Sequence, residues 1–123
     1  MPSRAAHDPP ACDAALARAF TFLGKRWSGV VIGSLVEGPA GFAQLARSVR
    51  GISESVLSDR LQELTAAGLI SRTVDEGPPL SVTYELTETG RALIPALEAL
   101  AAWAAEHLPA AAAPARAQAA SRR

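Results

Sequence analysis

Four polar side chains with hydrogen-bonding capacity recur within one short segment of the chain. They are Ser55, Ser58, Asp59 and Gln62. The surrounding residues 51–72 have the sequence GISESVLSDRLQELTAAGLISR, in which Leu57, Leu61 and Leu64 stand at helical spacing. At about 100° per residue, a helix that buries these leucines turns the polar side chains toward its outer face and flank.

The chemistry open to these four side chains is hydrogen bonding to the edges of nucleic-acid bases. Serine hydroxyls both donate and accept, and Gln62 has the adjacent donor and acceptor that match adenine. Asp59 would accept from the amino group of cytosine, but it could equally pair with a neighbouring arginine or repel phosphate. The alternative for all four residues is a solvated helix face without a ligand.

The overall charge does not favour binding to a polyanion. Twelve basic and twelve acidic residues give a formal net charge of zero, and Glu54 and Asp59 add negative charge to the segment itself. Phosphate contacts must therefore come from basic side chains and helix N-termini that lie locally beside this segment. The candidates near predicted helix ends or at the base of a predicted hairpin are Lys25, Arg26, Arg47, Arg50, Arg60 and Arg72, with the helix N-termini at Ser28 and Ser53. For Arg60, a structural ion pair is an equal alternative.

Other kinds of site have little support in the sequence. Cys12 is the sole cysteine and cannot form a disulfide within the chain, and with the widely separated His7 and His107 it has no metal-ligand spacing. A Ser-His-Asp arrangement and a glycine-rich phosphate loop are also missing from the sequence. We therefore predict a protein that is not an enzyme and that binds no metal or other cofactor.

Length and composition predict one cytoplasmic domain. The chain has 123 residues, of which 49% are hydrophobic and 20% charged, which fits a globular protein with one modest core. Its first residues, MPSRAAHDPPACDAA, lack the apolar region of a secretion signal, and no run approaches the roughly 18 apolar residues of a membrane span. We expect a protein of the cytoplasm, associated with the nucleoid.

Helical periodicity predicts two helices in the first third of the chain. The first contains Leu16 and Phe20 and is expected to stop at Gly24 in the C′ position. The second is expected to begin with Ser28 as its cap and to be closed by residues 38–39, a Gly-Pro pair. Most of its side chains are apolar, so it is predicted to be largely buried.

A tight turn and then a change of period follow. A third short helix over residues 42–49 is broken at Gly51, and Ser53 caps a fourth helix that Gly68 ends. From Leu69 onward, LISRTV and SVTYEL are rich in β-branched residues and flank the turn segment DEGPPL. This pattern predicts a two-stranded hairpin.

The last predicted helix runs from a Thr87 cap to about His107 and has an unusually broad apolar face. Such a face on a peripheral helix predicts packing against a second subunit, together with the first helix. The predicted dimer contacts are Leu16, Phe20, Leu97, Leu100, Trp103 and Leu108. The predicted organisation is a flexible arm at 1–10, one domain at 11–108 and a disordered Ala/Pro-rich tail at 109–123.

The order and spacing of several short motifs resemble the HxlR-type family of bacterial winged-helix regulators, relatives of the MarR group. The matching pieces are Cys12, the Gly-Lys-Arg-Trp of 24–27, Gly38-Pro39 with Phe42 and Leu45, Gly51-Ile52-Ser53, the frame of Leu57, Arg60, Leu61, Leu64, Gly68 and Leu69, and Tyr84-Glu85-Leu86-Thr87 with Gly90. The resemblance spans roughly residues 12–107. It implies a mainly α fold with a small β-hairpin (α+β), a winged helix-turn-helix domain with N- and C-terminal dimerisation helices.

The function implied by the resemblance is that of a homodimeric, sequence-specific transcription regulator. Its fourth helix would enter the major groove of a double-stranded DNA operator, and each wing would reach an adjacent minor groove. Family members that use a cysteine at the position of Cys12 resemble redox or electrophile sensors, which implies a small-molecule or oxidant effector; an unreactive packed thiol is the alternative. Trp103 would either anchor the dimer or line an effector pocket between subunits.

Two departures from the family pattern support a second hypothesis. Glu54 and Ser55 stand where family members often have Lys or Arg, and the predicted wing tip, residues 75–81, carries no basic side chain. These departures would also fit a winged-helix dimer that senses a ligand or binds proteins and has lost or weakened its DNA binding.

Overall fold

The computed structural model describes residues 9–108 and residue 110. Its elements, in chain order, are α1 (Pro9–Leu23), α2 (Ser28–Ser34), β1 (Ala40–Gly41), α3 (Phe42–Ser48), α4 (Glu54–Ala66), β2 (Ile70–Asp75), β3 (Ser81–Leu86) and α5 (Glu88–His107). This order confirms the predicted mainly α winged helix-turn-helix fold. Most of the predicted arm and tail lies outside the described residues. Within the described part, no helix is long and apolar enough to cross a bilayer.

The core lies where α2, α3 and α4 meet the base of the sheet. The leucine stripe of α4 is at its centre, since Leu57, Leu61 and Leu64 are all buried, as the helical spacing predicted. The other buried apolar side chains are Val31, Ile32, Leu35, Ala40, Leu45, Val49, Leu69, Ile70 and Leu86. Burial of the stripe fixes the rotation of α4 about its own axis and therefore determines which of its side chains face outward.

The sheet has three antiparallel strands in the order β1-β3-β2, whereas the sequence pattern predicted only two. The additional strand is β1, in which Ala40 lies opposite Tyr84 and Gly41 opposite Thr83. Strands β2 and β3 pair over their full length, from Ile70 opposite Leu86 to Asp75 opposite Ser81. The prediction missed β1 because two residues are too few to show an alternating pattern.

The end of α4 confirms the predicted glycine stop. Gly68 has a φ of +82°, which places it in the left-handed region that glycine adopts without strain. Its N–H donates to the Thr65 carbonyl at 3.0 Å, and the Leu69 N–H donates to the Leu64 carbonyl at 3.0 Å. These two bonds form a Schellman motif, and the chain turns directly from α4 into β2.

The end of α1 and the start of α2 form in a different way from the one predicted. Gly24 does follow the last residue of α1, but it is not one of the glycines with positive φ; a Cβ there would lie 2.7 Å from the Phe20 carbonyl oxygen. Ser28 does not cap α2, because Trp27 occupies the N-cap position and no side chain caps this helix end. Ser28 is instead a buried residue of the first helical turn, only 1% exposed.

Candidate nucleic-acid interface

Helix α4 presents the predicted base-contacting residues on its accessible side. Ser55, Asp59 and Gln62 are exposed, and Ser58 on the flank is half-buried. The helix has 13 residues, which at 1.5 Å per residue gives a length of about 20 Å. The major groove of B-form DNA is wide enough to admit such a helix. The structure therefore brings Ser55, Asp59 and Gln62 together on one accessible face, with Ser58 on its flank.

The N-terminus of α4 is capped as predicted. Ser53 has extended backbone angles (φ −79°, ψ 157°), and its Oγ accepts a hydrogen bond from the Val56 N–H at 3.1 Å. Because the hydroxyl is engaged in this way, a phosphate at this helix end would meet backbone N–H groups of the first turn that lack helical partners. The exposed Glu54 stands in that turn and competes for the same positive end of the helix.

The turn between α3 and α4 packs against Trp27. Gly51 has a φ of +91°, and a Cβ at this position would lie 3.6 Å from Cη2 of Trp27. The guanidinium carbon of Arg26 lies 4.7 Å from the centroid of the same ring, in cation–π geometry. Arg26, predicted to contact phosphate, is exposed and held beside the turn that leads into α4.

Lys25 and Arg60, two further predicted phosphate contacts, converge on Glu63, which the sequence analysis had not singled out. Lys25 Nζ donates to Glu63 Oε2 at 3.1 Å, and Arg60 Nη2 donates to the same oxygen at 3.2 Å. Arg60 Nε lies 3.2 Å from Oε1, within ion-pair distance but outside hydrogen-bond alignment. The Arg60 side chain is only 14% exposed, so the structure supports the ion-pair alternative for this residue.

The two cations beside the Glu63 carboxylate lower its pKa. The hydrogen bond from Lys25 is the largest influence that lowers the pKa of Glu63 below its ordinary value, and the positive charges of Arg60 and Lys25 act in the same direction. Arg60 and Glu63 stand three residues apart on one helix, which is the spacing of facing side chains. That spacing is the signal from which the pair could have been predicted.

The other basic candidates are exposed. Arg47 lies in the last turn of α3, Arg50 follows that helix, and Arg72 lies on β2 opposite Tyr84. None of these three arginines has an ion-pair partner among the described residues. Ser28 is a correction: besides being buried, its N–H already donates to the Lys25 carbonyl at 3.3 Å, so it offers nothing to a phosphate.

The wing carries its positive charge at the base and its negative charge at the tip. Arg72 lies near the start of β2, whereas Asp75 and Glu76 stand where the hairpin turns. Asp75 Oδ1 accepts a hydrogen bond from the Gly77 N–H at 3.2 Å, which holds its carboxylate over the turn. Any phosphate contact by the wing through a basic side chain would therefore occur at its base.

An apolar groove of about 830 Å³ lies between α1, α2 and α5. Three of the predicted dimer contacts line it, namely Phe20, Leu97 and Leu100. Val30 of α2 lines it as well, and Phe20, Val30 and Leu100 are each about half exposed, at 50%, 51% and 49%. Large side chains with this exposure form an unpartnered apolar surface.

The remaining predicted dimer contacts are exposed but do not line the groove. They are Leu16, Trp103 and Leu108. Trp103 packs against His107 one turn later, with ring centroids 5.7 Å apart and an angle of 35° between the rings. Trp103 is therefore not part of the lining of this groove in the described structure, and its predicted place in an effector pocket between subunits stays a prediction. For Cys12, the backbone belongs to α1, but its side chain lies outside the described part of the structure.

The sequence and the fold match those of known regulators. The sequence pattern of the family described as HxlR-like helix-turn-helix matches residues 22–112. The chain belongs to the HxlR-like helix-turn-helix family. This membership confirms the resemblance identified from the motifs, and it makes the protein a transcriptional regulator of the HxlR/MarR type.

Two known regulators are similar to this chain in sequence or structure. YodB of Bacillus subtilis (strain 168), named an HTH-type transcriptional regulator, is 40% identical over 86 residues, which cover 70% of this chain and 77% of YodB. The reduced form of YodB superposes with a TM-score of 0.70 at 36% identity and covers 77% of this chain and 93% of that one. HypR, described as a redox regulator, superposes in its reduced form with a TM-score of 0.72 at 27% identity, covering 77% and 94%.

Proposed function

We propose that this HxlR-like protein is a homodimeric, sequence-specific DNA-binding regulator that acts on the nucleoid in the cytoplasm. The observation that supports DNA reading is the rotation of α4: burial of its leucine stripe leaves Ser55, Asp59 and Gln62 exposed on one side, with Ser58 on the flank. These side chains carry the donors and acceptors that base edges require in the major groove. Arg47, Arg50 and Arg72 would contact the phosphates on either side of α4.

A second copy of the chain is the occupant that best fits the apolar groove. The exposed apolar side chains of α1, α2 and α5 lie next to one another, and covering them removes a large hydrophobic surface from water. Twofold symmetry would place two α4 helices on one side of the dimer. The two half-sites of an operator would then be read together, which doubles the contacts made by a chain of zero net charge.

An oxidant or electrophile is the class of effector that we propose for this regulator. HypR is described as a redox regulator, and YodB is known in a reduced form. Cys12 is the only cysteine of this chain, so any disulfide it forms must join it to a second molecule. Its place in α1, one of the helices that form the groove, would connect its oxidation to the arrangement of two subunits.

The proposal is tested by titrating the full chain against duplexes from its own promoter region and against random duplexes at several salt concentrations. We expect saturable binding of two chains per duplex, with an affinity that falls steeply as salt rises. The stoichiometry is measured by sedimentation of the complex. Absence of saturable binding to any genomic duplex would overturn DNA recognition and leave the alternative of a ligand-sensing or protein-binding dimer. One chain per duplex would overturn the dimer.

A further inference from the structure

Glu63 stands between the DNA-reading face of α4 and the loop that joins α1 to α2. It follows Gln62 directly and is four residues, about one helical turn, beyond Asp59. On its other side, Lys25 of the α1–α2 loop donates to Oε2 at 3.1 Å. Glu63 therefore borders the surface that would meet DNA, and it holds there a cation from a different part of the chain.

The contact removes Lys25 from the set of freely available cations. The Lys25 side chain is 48% exposed, so solvent and any approaching phosphate have access to it. Its ammonium nevertheless already has a carboxylate partner, and a phosphate would have to displace Glu63 to contact it. Once the charge of the carboxylate is gone, this half-exposed ammonium loses its ion-pair partner and is available to a phosphate.

Arg60 behaves differently in the same cluster. Its side chain is largely buried, at 14% exposed, and both Nε and Nη2 lie within 3.2 Å of the Glu63 carboxylate oxygens. A glutamine at position 63 would keep an oxygen for Arg60, because its amide carbonyl accepts a hydrogen bond, but it would carry no charge to hold Lys25. Glu63→Gln thus releases Lys25 while the packing around Arg60 is preserved.

We propose that Glu63 is a positioning residue that keeps Lys25 off the DNA backbone and so limits the affinity of the protein for every duplex alike. The inference rests on the DNA-binding function proposed above. Phosphate contacts carry no sequence information, so withholding one cation lowers sequence-independent binding while base contacts from α4 remain. Glu63 would then lower the affinity for DNA through its contact with Lys25.

The experiment measures binding of the full-length wild type and of Glu63→Gln to a selected promoter duplex and a random duplex across salt concentrations. We expect Glu63→Gln to bind both duplexes about three- to tenfold more tightly at about 0.1 M salt. The slope of log K against log salt should steepen by about 0.9, the value for one additional phosphate contact. The double variant Glu63→Gln/Lys25→Ala should return to the wild-type slope.

Glu88→Gln is the matched control, since it makes the same change of charge at an exposed position on α5 that has no ion-pair partner among the described residues. It should leave the slope unchanged. An unchanged slope for Glu63→Gln, or a gain in affinity that persists in the double variant, would overturn the role of Glu63 while DNA binding stands. A wild type without salt-dependent binding would overturn DNA binding itself, and this inference with it.

Discussion

Thr87 Oγ1 donates a hydrogen bond to the carbonyl oxygen of Gly68 over 2.6 Å, which fastens the start of α5 to the turn that ends α4. Thr87 Oγ1 also accepts a hydrogen bond from the Gly90 N–H at 3.1 Å, and the Thr87 N–H donates to the Leu69 carbonyl at 3.0 Å. One residue therefore caps α5 and ties it to the end of the helix proposed to read DNA. The junction thus fixes the start of α5, one of the helices that line the apolar groove, beside the end of α4.

Thr87→Val should destabilise the protein because it removes the hydroxyl that makes two of these bonds. We expect the free energy of unfolding to fall by about 1–2 kcal/mol, measured by urea denaturation at one fixed protein concentration. Thr89→Val, at an exposed position in the first turn of α5, is the control and should change stability by less than about 0.5 kcal/mol. A similar loss in both variants would show that the junction is not special.

Gly90→Ala should also destabilise the protein, because a Cβ at this position would overlap the Leu69 carbonyl oxygen and crowd Leu86 Cδ2 at 3.2 Å. Backbone has little room to yield, so we expect a loss of about 1–3 kcal/mol in the same denaturation experiment. Gly33→Ala provides the contrast, since no atom of the same chain lies within 4 Å of the added Cβ. Because Gly33 lines the apolar groove, the comparison is made at several protein concentrations, which separates an effect on the pairing of two chains from helix propensity. Gly33→Ala should gain up to about 1 kcal/mol from its higher helix propensity; a gain at Gly90 as well would contradict the close approach.

Stability should depend on pH through Glu63. Its folded-state pKa is lowered from the ordinary value of 4.5, first by the hydrogen bond from Lys25 and also by Arg60. A lowered pKa means that the ionised carboxylate contributes stability at neutral pH and that this contribution is lost as the pH falls below 4.5 through the folded-state value. Urea midpoints between about pH 7 and about pH 3 should therefore fall further in the wild type than in Glu63→Gln. Parallel profiles would contradict this role.

Two variants should distinguish a residue that contacts bases from one that contacts phosphate. Gln62→Ala should weaken binding to the preferred duplex by roughly 5- to 150-fold, which corresponds to about 1–3 kcal/mol, with little effect on random DNA. Arg47→Ala should weaken both about equally and reduce the salt slope by about 1. Fluorescence anisotropy with both duplexes provides the comparison. If Gln62→Ala lowers both affinities to the same extent, Gln62 makes no base contact.

The response to oxidants should depend on Cys12. Cys12→Ser should keep the basal affinity for the promoter duplex but lose any change in affinity after treatment with diamide, because serine has no thiolate to oxidise. The wild type, treated in parallel and then reduced with dithiothreitol, establishes that the response is reversible. A response of Cys12→Ser equal to that of the wild type would assign sensing to another mechanism.

Much of the fold follows from local patterns in the sequence. The leucine stripe, the cap at Ser53, the glycine stop at Gly68 and the Thr87 cap each depend on contacts between residues a few positions apart, and all four are present. The order of the family motifs along the chain added the prediction of the winged helix-turn-helix fold. Together the local patterns and the motifs predicted which face of α4 is exposed.

The misplaced features depend on contacts between distant parts of the chain. Strand β1 exists because Ala40 pairs with Tyr84, 44 positions later, and two residues have no pattern of their own. Ser28 has a residue type suited to capping, yet it is buried because the core closes over the start of α2. Lys25 meets Glu63 only once the α1–α2 loop lies against α4, so local spacing reveals Arg60 as a partner of the carboxylate but not Lys25.

The short strand β1 also determines the mechanics of the wing. It pairs with β3 only at Thr83 and Tyr84, so from Val82 to the tip the hairpin consists of two strands without a third neighbour. The hairpin is thus held by a third strand only at its base, where Arg72 lies opposite Tyr84. We expect any bending of the hairpin to be concentrated in its acidic outer half, which leaves Arg72 in a constant position relative to the core.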